Sequence, residues 1–456
     1  MKKFDLIVIG GGPAGYLAAE RAGAAALHTA LIEKRALGGV CLNEGCIPSK
    51  TLLHSAKIFE YAQHSERYGV TVEAATIDHA AVLARKNKVV KKLVAGVTMK
   101  MKAQGVTVFT GTGVIKGRQD DGFCVQVDEE VLIAPKLIIA TGSRPVMLPV
   151  PGVQEGFSSG FILTNREILD LAEVPNSLVV VGGGAVGLEI ASYYRSIGCA
   201  VSVVEMLNTV AGSIETEISQ TLQRSLQNRG IAFHLDSRVS SIGNSLVHFE
   251  NQDGLQCISA DKVLLAAGRQ PVCDGFGLES LGVYTESGAI VTDHCMRTNV
   301  ADVYAAGDVN GRSMLAHTAY REAEVAINNI LGRRDKMHYH AIPSIIYTNP
   351  EVACVGETEK TALEKGIPVQ TATLPLSYAG RYVAEVDRGE GFCKLIMHAR
   401  NQTLLGVHII GSYASEIIYG AALMIEREIP IQDIKKLVFP HPTVSEIIRE
   451  TLFALE

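Results

Sequence analysis

The chain contains the same glycine-rich turn twice, each time between a short apolar run and a segment with helical character. The first copy leads from a predicted buried strand, Phe4–Ile9, through residues 10–15 (GGGPAG) into a helix predicted over residues 16–26. Strand, glycine turn and helix in this order are typical of a Rossmann unit, whose glycines let the backbone approach a pyrophosphate. An acid that ends the next predicted strand then bonds a ribose hydroxyl. The predicted contacts of this dinucleotide site are Gly10, Gly12, Gly15 and Glu33.

The second copy repeats the pattern in the middle of the chain. A predicted strand, Leu178–Val181, leads through residues 182–187 (GGGAVG) into a helix predicted over residues 188–198. In both copies the acid lies 18 positions beyond the last glycine, from Gly15 to Glu33 and from Gly187 to Glu205. Two matching fingerprints predict two dinucleotide sites. The contacts predicted for the second site are Gly182, Gly184, Gly187 and Glu205.

Glu205 also indicates which nicotinamide cofactor binds. A carboxylate at this strand end accepts a hydrogen bond from a ribose 2′-hydroxyl and repels a 2′-phosphate. The next residues, 206–208 (MLN), provide no cation that would compensate. The sequence therefore predicts NAD rather than NADP.

Two cysteines, Cys41 and Cys46, closely follow the first turn in the stretch GGVCLNEGCIPSK. In a straight helix, residues five apart point about 140° away from each other, so a bend is needed if these sulfurs are to meet. Asn43, Gly45 and Pro48 permit such a bend. Two buried apolar residues or half of a metal site are alternative interpretations. The neighbouring dinucleotide site favours a redox dithiol. FAD in the first site would then carry electrons between the thiols and an NAD bound in the second site.

Composition narrows the class of protein further. With 456 residues the chain is expected to form two to four domains. Its net charge of −6 argues against a nucleic-acid or anionic-membrane partner. The most apolar window, residues 178–194, contains several glycines and Glu189, which argues against a membrane span. The chain has nine cysteines, and their spacing does not follow the pattern of a secreted disulfide framework, which indicates a reducing cytoplasm. In that compartment an oxidisable cysteine pair is more often catalytic than structural.

A histidine near the C-terminus is a candidate base. A lone histidine is usually a surface or core residue, but His441 is followed by Pro442 and, five positions on, by Glu446. A histidine can take a proton from a thiol, and a carboxylate on its other nitrogen stabilises the imidazolium. Because proline lowers the cost of a cis bond, a cis His441–Pro442 peptide is also plausible.

Together these motifs resemble the pyridine nucleotide-disulfide oxidoreductases, and within that family most closely the dihydrolipoyl dehydrogenases. The resemblance covers essentially the whole chain in the family's order. Besides the two glycine turns, it is carried by GGVCLNEGCIPSK (38–50), ATGSRP (140–145), VYAAGDV (303–309), MLAH (314–317) and FPHPTVSE (439–446).

The resemblance implies an α/β fold with two Rossmann-like dinucleotide-binding domains and a C-terminal α+β dimerisation domain. An FAD domain is expected over residues 1–147 and 271–340, an NAD domain over 148–270 and an interface domain over 341–456. Strand-like alternation in 345–356 and 392–411, with a helical pattern over 414–428, agrees with the last of these. Further implied FAD contacts are Lys50, Gly113, Thr141, Gly142, Asp308, Met314, Leu315, Ala316 and His317. Further implied NAD contacts are Val239 and Gly268.

The same resemblance implies a reaction and its catalytic residues. Dihydrolipoamide on a lipoyl-bearing protein of a 2-oxoacid dehydrogenase or glycine cleavage complex would be oxidised, with NAD⁺ as acceptor. His441, oriented by Glu446, would enter the active site of the partner subunit in a homodimer. Cys41 would exchange with the substrate and Cys46 would face the flavin, while Lys50 near the flavin would pair with Glu189.

Other functions remain open on the sequence. Glutathione, trypanothione and mercuric reductases share the fold, but NADPH-dependent members would be expected to place cations after the second fingerprint. Mercuric reductases carry a C-terminal cysteine pair, whereas the last residues here are RETLFALE. A non-catalytic flavoprotein subunit or redox sensor is a further alternative, although it would need none of the implied catalytic residues.

Overall fold

The computed structural model describes residues 1–212, 214–386 and 389–455. They form two compact units, each built from three separate segments of the chain. The first unit comprises Met1–Thr51, Ala81–Val146 and Gly268–His338. The second comprises Leu52–Ala80, Met147–Ala267 and Tyr339–Glu456. Every helix in the described part of the chain is too short or too polar to span a lipid bilayer.

A parallel sheet of five strands forms the core of the first unit. Its central strand, Leu6–Ile9, is fully buried and pairs with a parallel strand on either side. Burial on both faces explains why this strand is continuously apolar in the sequence. The strands in spatial order are Val303–Ala305, Lys136–Ile139, Leu6–Ile9, Thr29–Glu33 and Thr107–Thr110.

Smaller strands and helices complete the first unit. A four-stranded sheet has the strand order Lys2–Lys3, Glu130–Ala134, Gly122–Val127 and Gly113–Gln119. There are also two pairs of short strands. One pair is Ser143–Pro145 with Arg269–Pro271, and the other is Thr285–Glu286 with Ala289–Ile290. The helices that begin or end in this unit are Pro13–Ala24, Gly39–Glu44, Cys46–Gln63, His79–Ala103 and Ala316–Ile330, with 3₁₀ turns at Leu278–Leu281 and Asp308–Asn310.

The second unit contains a second five-stranded parallel sheet and an antiparallel sheet. The parallel sheet has the order Ile162–Leu163, Lys262–Leu265, Ser177–Val181, Ala200–Val204 and Ile231–His234, and a three-stranded antiparallel sheet of Arg238–Gly243, Leu246–Asn251 and Gly254–Ser259 follows it along the chain. The helices of this part are Val153–Ser158, Asn165–Ile168, Ala185–Ser196 and Thr216–Asn228.

Both helices after the glycine turns begin three residues earlier than predicted. They run over Pro13–Ala24 and Ala185–Ser196, with Gly12 and Gly184 at their N-caps. The glycine turn itself therefore supplies the first helical turn. The first helix begins with a proline. Proline suits this position because it has no N–H, and an N–H there would have no hydrogen-bond partner within the helix.

The C-terminal part of the second unit is an antiparallel sheet covered by helices. The strands in spatial order are Ser344–Ile346, Val352–Gly356, Leu404–Ile410, Phe392–His398 and Val369–Pro375. Its helices are Glu359–Glu364, Gly380–Glu385, Ala414–Glu426, Ile431–Ile434 and Glu446–Phe453, with 3₁₀ turns at Ser65–Tyr68 and Leu376–Tyr378 elsewhere in the unit. The predicted strands are present, but the two central ones are buried almost throughout rather than alternately. Helix Ala414–Glu426 contacts this sheet, and so does helix Thr216–Asn228, which explains why both faces of these strands are buried.

A buried charge cluster joins this sheet to the start of helix Thr216–Asn228. Lys394 is only 3% exposed, and its Nζ donates to carboxylates of Glu215 at 3.0 Å, Glu217 at 3.2 Å and Glu359 at 2.8 Å. Burial opposes the ionisation of Glu215, but hydrogen bonds from Glu359 N and Lys394 outweigh it and lower the pKa of this carboxyl. Glu215 therefore stabilises the fold above its unfolded pKa, and this contribution is lost as the pH falls through the folded value.

Replacing Lys394 by Met is expected to destabilise the second unit by about 3–5 kcal/mol, because the buried carboxylate of Glu215 loses its countercharge. Urea unfolding followed by circular dichroism measures this change. Lys360→Met is the matched control: its side chain is 78% exposed and pairs with Glu364 only at 3.9 Å, so a cost below about 0.5 kcal/mol is expected. Equal unfolding midpoints for the two variants would show that the cluster contributes nothing.

Candidate active site

The cysteine pair lies at a break between two helices. Cys41 is inside helix Gly39–Glu44, and Cys46 is the first residue of helix Cys46–Gln63. Gly45 joins the helices in a non-helical conformation, with φ −149° and ψ −106°. This change of direction brings the two thiols into hydrogen-bonding contact, which a continuous helix would have prevented.

Of the three residues expected to permit the bend, only Gly45 makes it. Pro48 lies in the first turn of the second helix, where a missing N–H leaves no hydrogen bond unmade. Asn43 has a different structural role, because its Nδ2 donates to the carbonyl oxygens of Leu37 at 3.1 Å and Gly39 at 2.9 Å. It thus fixes the short helix that carries the first cysteine.

The surroundings of the pair favour a protonated Cys41 in the dithiol state. The hydrogen bond to Cys46 raises the pKa of the Cys41 thiol well above its usual range, and burial raises it further. The positive charge of Lys50, one helical turn after Cys46, lowers the same pKa. Because only a thiolate exchanges with a disulfide, the charge of Lys50 favours the reactive form of Cys41, whereas burial and the contact with Cys46 oppose it.

Two tyrosines lie close to this dithiol and were not singled out from the sequence. The hydroxyls of Tyr16, in the first helix, and Tyr320, in helix Ala316–Ile330, are 2.5 Å apart. Burial raises the pKa of both phenols, and the charge of Cys41 adds to the shift at each of them. Both hydroxyls therefore stay neutral beside the thiols. Tyr16 directly follows the glycine turn, but only the fold shows that Tyr320 joins it.

The first glycine turn forms an open cradle for a phosphate. A Cβ on Gly15 would lie 1.7 Å from the carbonyl oxygen of Gly10, so the helix approaches the strand only because position 15 is glycine. Gly12 caps the helix without any side-chain hydrogen bond, which leaves the first amides of the helix available to an anion. The Glu33 carboxylate accepts from Gly11 N at 2.7 Å, so the acid is held against the turn.

The second glycine turn repeats this geometry. A Cβ on Gly187 would lie 2.1 Å from the carbonyl oxygen of Gly182, and Gly184 is again an N-cap without a side-chain bond. The Glu205 carboxylate accepts from Gly183 N at 2.6 Å and from Leu207 N at 2.9 Å. Free helix amides and a fixed acid at both turns fit the two dinucleotides that the sequence predicts.

Other predicted FAD contacts follow neighbouring strands of the same sheet. Thr141 and Gly142 come after strand Lys136–Ile139, where Thr141 Oγ1 donates to the carbonyl oxygen of Val272 at 2.7 Å and Gly142 has φ +74°. Asp308 follows strand Val303–Ala305. Because the carboxyl ends of adjacent parallel strands meet at one edge, these residues lie on the same side of the sheet as the first glycine turn.

Hydrogen bonds fix the segment around Asp308. Its carboxylate accepts from Ser143 Oγ at 2.5 Å, and the same hydroxyl accepts from Arg269 Nε at 2.7 Å. Glu322, which is fully buried, accepts from Gly307 N at 2.6 Å and from Asn310 Nδ2 at 2.9 Å. Glu322 could not be identified from the sequence, because nothing in its helix distinguishes it from a solvated acid.

The remaining predicted contacts have different environments. Met314, Leu315, Ala316 and His317 lie at the start of helix Ala316–Ile330, whose N-cap, Leu315, makes no side-chain bond. A Cβ on Gly113 would lie 3.1 Å from the side chain of Ile32, so this glycine packs closely against a neighbouring strand, and its contact with FAD stays a prediction. Val239 lies in the second unit, whereas Gly268, with φ +107°, belongs to the first. Their contact with NAD stays a prediction.

The histidine and glutamate near the C-terminus form a hydrogen-bonded pair. His441 Nδ1 is 2.9 Å from Glu446 Oε1, and the His441–Pro442 peptide is cis, as the sequence suggested. The side chain of His441 is 76% exposed and that of Glu446 is 18% exposed. Hydrogen bonds from Thr443 N and from His441 lower the pKa of Glu446. The carboxylate is therefore ionised at neutral pH and can support an imidazolium.

Glu189 is buried rather than solvated. It is 5% exposed in helix Ala185–Ser196, and its carboxylate accepts from Tyr347 N at 3.0 Å. A buried carboxylate is costly unless it has partners, which accords with a specific role. Its ion pair with Lys50 stays a prediction.

Comparison with known proteins identifies the family. The paired thiols and two dinucleotide turns define a flavin-dependent disulfide oxidoreductase that uses FAD and NAD. The family model for pyridine nucleotide-disulphide oxidoreductases matches residues 4–323, and the model for the dimerisation domain of the same family matches residues 342–452. The chain belongs to this family, which confirms the expected fold class. The dimerisation domain supports a homodimer.

Relatives are similar along nearly their whole length. Dihydrolipoyl dehydrogenase from Chlamydia muridarum is 37% identical over 98% of this chain and 96% of its own. The mitochondrial dihydrolipoyl dehydrogenase of Pisum sativum is 37% identical over 99% of this chain and 91% of its own. Among solved structures, LpdA from Mycobacterium tuberculosis has a TM-score of 0.90, with 25% identity and full coverage of both chains. The flavoprotein disulfide reductase RclA from Escherichia coli, as a Cu(II) complex, has a TM-score of 0.87, with the same identity and coverage.

Replacing Glu205 by Gln is expected to weaken discrimination between NAD and NADP, because the repulsion of a 2′-phosphate is lost. The ratio of kcat/KM values for the two cofactors should fall by about tenfold, equivalent to about 1.4 kcal/mol. Glu33→Gln, the same change in the first turn, is the matched control and should leave this ratio unchanged when FAD is supplied in excess. An unchanged ratio in the Glu205 variant would contradict the assignment.

Proposed function

We propose that the chain oxidises dihydrolipoamide carried on a protein to lipoamide and transfers the electrons to NAD⁺. The observation that carries this proposal is the helix break at Gly45, which pairs Cys41 with Cys46 directly after the first dinucleotide turn. Such a pair can exchange with a substrate dithiol. The names of the relatives from Chlamydia muridarum and Pisum sativum support the lipoyl substrate.

We infer three domains for this function. Residues 1–147 and 271–340 bind FAD, residues 148–270 bind NAD, and residues 341–456 form the interface of a homodimer. The uncapped helix starts at Gly12 and Gly184 support the two cofactor assignments, because both present free amides to a pyrophosphate.

His441 is the proposed base. Its Nε2 takes the proton from a substrate thiol, while Glu446 holds Nδ1 and stabilises the imidazolium that forms. The exposed side chain of His441 supports delivery of this pair into the active site of the partner subunit, which makes the homodimer necessary for catalysis.

The thiol chemistry takes two exchanges. The substrate thiolate attacks the sulfur of Cys41 in the oxidised pair, a mixed disulfide forms, and Cys46 leaves as a thiolate. The second substrate thiolate then attacks the substrate sulfur of the mixed disulfide and releases Cys41. The substrate leaves as a disulfide, and its two electrons remain in the dithiol of the enzyme.

FAD, when bound, supplies the two-electron chemistry that links a dithiol to a nicotinamide. The residues that would hold it are those of the first glycine turn with Glu33, Asp308 and the start of helix Ala316–Ile330. Lys50, one turn after Cys46, would lie near the flavin and pair with the buried Glu189. Gly182, Gly184, Gly187 and Glu205 would hold NAD.

The natural partner of the enzyme follows from the substrate. Lipoyl groups are carried by proteins, so a lipoyl-bearing subunit of a 2-oxoacid dehydrogenase or glycine cleavage complex would present the dithiol. The lipoyl group is then reduced by that complex and reoxidised here. We place this reaction in the cytoplasm, where the other cysteines of the chain stay reduced.

Replacing Glu446 by Gln should lower kcat/KM for dihydrolipoamide by about 10²-fold or more, because the imidazolium loses its countercharge. Reduction of the flavin by NADH, measured by stopped flow, should change little, since it needs no thiol deprotonation. Glu450→Gln, one helical turn further on, is the control and should stay within about twofold. Equal effects on both half-reactions would indicate a merely structural role for Glu446.

Anaerobic titration of the yellow protein with dihydrolipoamide tests the function as a whole. Dihydrolipoamide should produce a long-wavelength absorbance band from the Cys46 thiolate beside the flavin, and NAD⁺ should remove it as NADH forms. Cys46→Ser should abolish turnover with the flavin retained, while Cys257→Ser, at an exposed position, should behave like the wild type. Reduction by NADH but not by dihydrolipoamide would assign the enzyme to another disulfide substrate.

A further inference from the structure

The long helix His79–Ala103 is strongly basic in a chain whose net charge is −6. No aspartate or glutamate occurs between Asp78 and Asp120, so the helix contains no acid at all. Its cations are Arg85, Lys86, Lys88, Lys91, Lys92, Lys100 and Lys102. A surface helix normally alternates charge signs along its length, and the absence of acids here therefore requires a reason.

Most of these cations share one face of the helix. Val82, Lys86, Val97 and Met101 are buried on the inner side. The outer side presents Arg85, Lys88, Lys91, Lys92, Met99 and Lys102, all exposed, and this set is called the basic face. The small residues at positions 95 and 96 leave the surface between its two ends open. Met99, which is 72% exposed, adds an apolar contact within the positive surface.

The basic face is not neutralised within the chain. In the described part of the structure, no carboxylate forms an ion pair with Arg85, Lys88, Lys91 or Lys92. Several of these cations are also three or four residues apart, a spacing at which like charges destabilise a helix. The arrangement therefore weakens the helix that carries it, and an external acidic partner would remove this repulsion.

The end of this helix that carries Lys100 lies beside the first helix of the same unit. Lys100 Nζ lies 3.4 Å from the Glu20 carboxylate. Glu20 is one turn after Tyr16 in the first helix, and the charges of Cys41 and Glu20 both act on the Tyr16 phenol. The basic face and the two cysteines, Cys41 and Cys46, thus belong to the same unit.

We propose that the basic face is the docking surface for an acidic lipoyl-bearing domain. This inference rests on the proposed function, because it concerns the protein that presents the dithiol. The rest of the surface carries an excess of negative charge and repels an acidic partner, so attraction at this one helix orients the encounter as well as accelerating it. Free dihydrolipoamide, which has no acidic surface, gains nothing from it.

The test compares two reduced substrates, free dihydrolipoamide and an acidic lipoylated domain, with the wild-type homodimer and the variant K88E/K91E/K92E. At an ionic strength of about 10 mM, where the Debye length is about 30 Å, kcat/KM for the domain should fall about tenfold or more in the variant. At about 1 M salt the two enzymes should converge. Turnover of free dihydrolipoamide should stay within about twofold.

A second triple variant, R333E/R334E/K336E, controls for net charge, because it reverses three cations exposed elsewhere in the same unit. It should leave kcat/KM for the domain within about twofold. An equal loss in both variants, or no loss in the first, would overturn the docking surface. Binding of the basic face to phosphatidylserine vesicles, with turnover of the domain unaffected, would overturn it in favour of a membrane.

Failure of the proposed function has a separate signature. If the wild type oxidises neither substrate, the lipoyl reaction is wrong. Calorimetric titration of the same acidic domain into the wild type and both variants then decides the docking surface by itself. Binding that only K88E/K91E/K92E weakens would support the surface, and equal binding to all three would overturn it.

Discussion

The close approach of a helix to a strand at each glycine turn is the constraint on which the site depends. At Gly15 and Gly187 a Cβ would fall within about 2 Å of a carbonyl oxygen of the same turn, at 1.7 Å and 2.1 Å. A side chain there would push the helix away from the sheet and remove the free amides from the phosphate position. Because both turns have the same geometry, the fold forms two dinucleotide sites with the same local backbone arrangement.

The segment that carries the two cysteines is in direct contact with the first of these turns. Gly38 N donates to the carbonyl oxygen of Gly11 at 2.8 Å, and a Cβ on Gly39 would lie 2.6 Å from the Cα of Gly12. The short helix that carries Cys41 therefore begins in contact with the phosphate cradle. A change in the turn would displace the thiols with it, so dinucleotide binding and thiol chemistry share one structural support.

Charges inside the protein and on its surface are arranged differently. The buried Lys394 is surrounded by three carboxylates, and the buried Glu322 accepts two hydrogen bonds, because an ion away from water is costly without partners. The cations of the basic face have water as solvent and need no partner for folding. The absence of acidic residues among these cations is therefore better explained by an encounter with another protein than by the stability of this chain.

The sequence by itself determined the features that depend on residues close together in the chain. The glycine turns, the acids at Glu33 and Glu205, and the His441–Glu446 pair each follow from local geometry, and a family resemblance added their roles. Tertiary structure decided which distant residues meet: Tyr320 joins Tyr16 and Glu322 fixes the Asp308 segment, although neither differs in sequence from an ordinary helical residue. It also placed the bend at Gly45 and not at Pro48, and buried both faces of the C-terminal sheet. The physical reason is that hydrogen-bond partners and burial across the fold depend on packing, which local patterns do not encode.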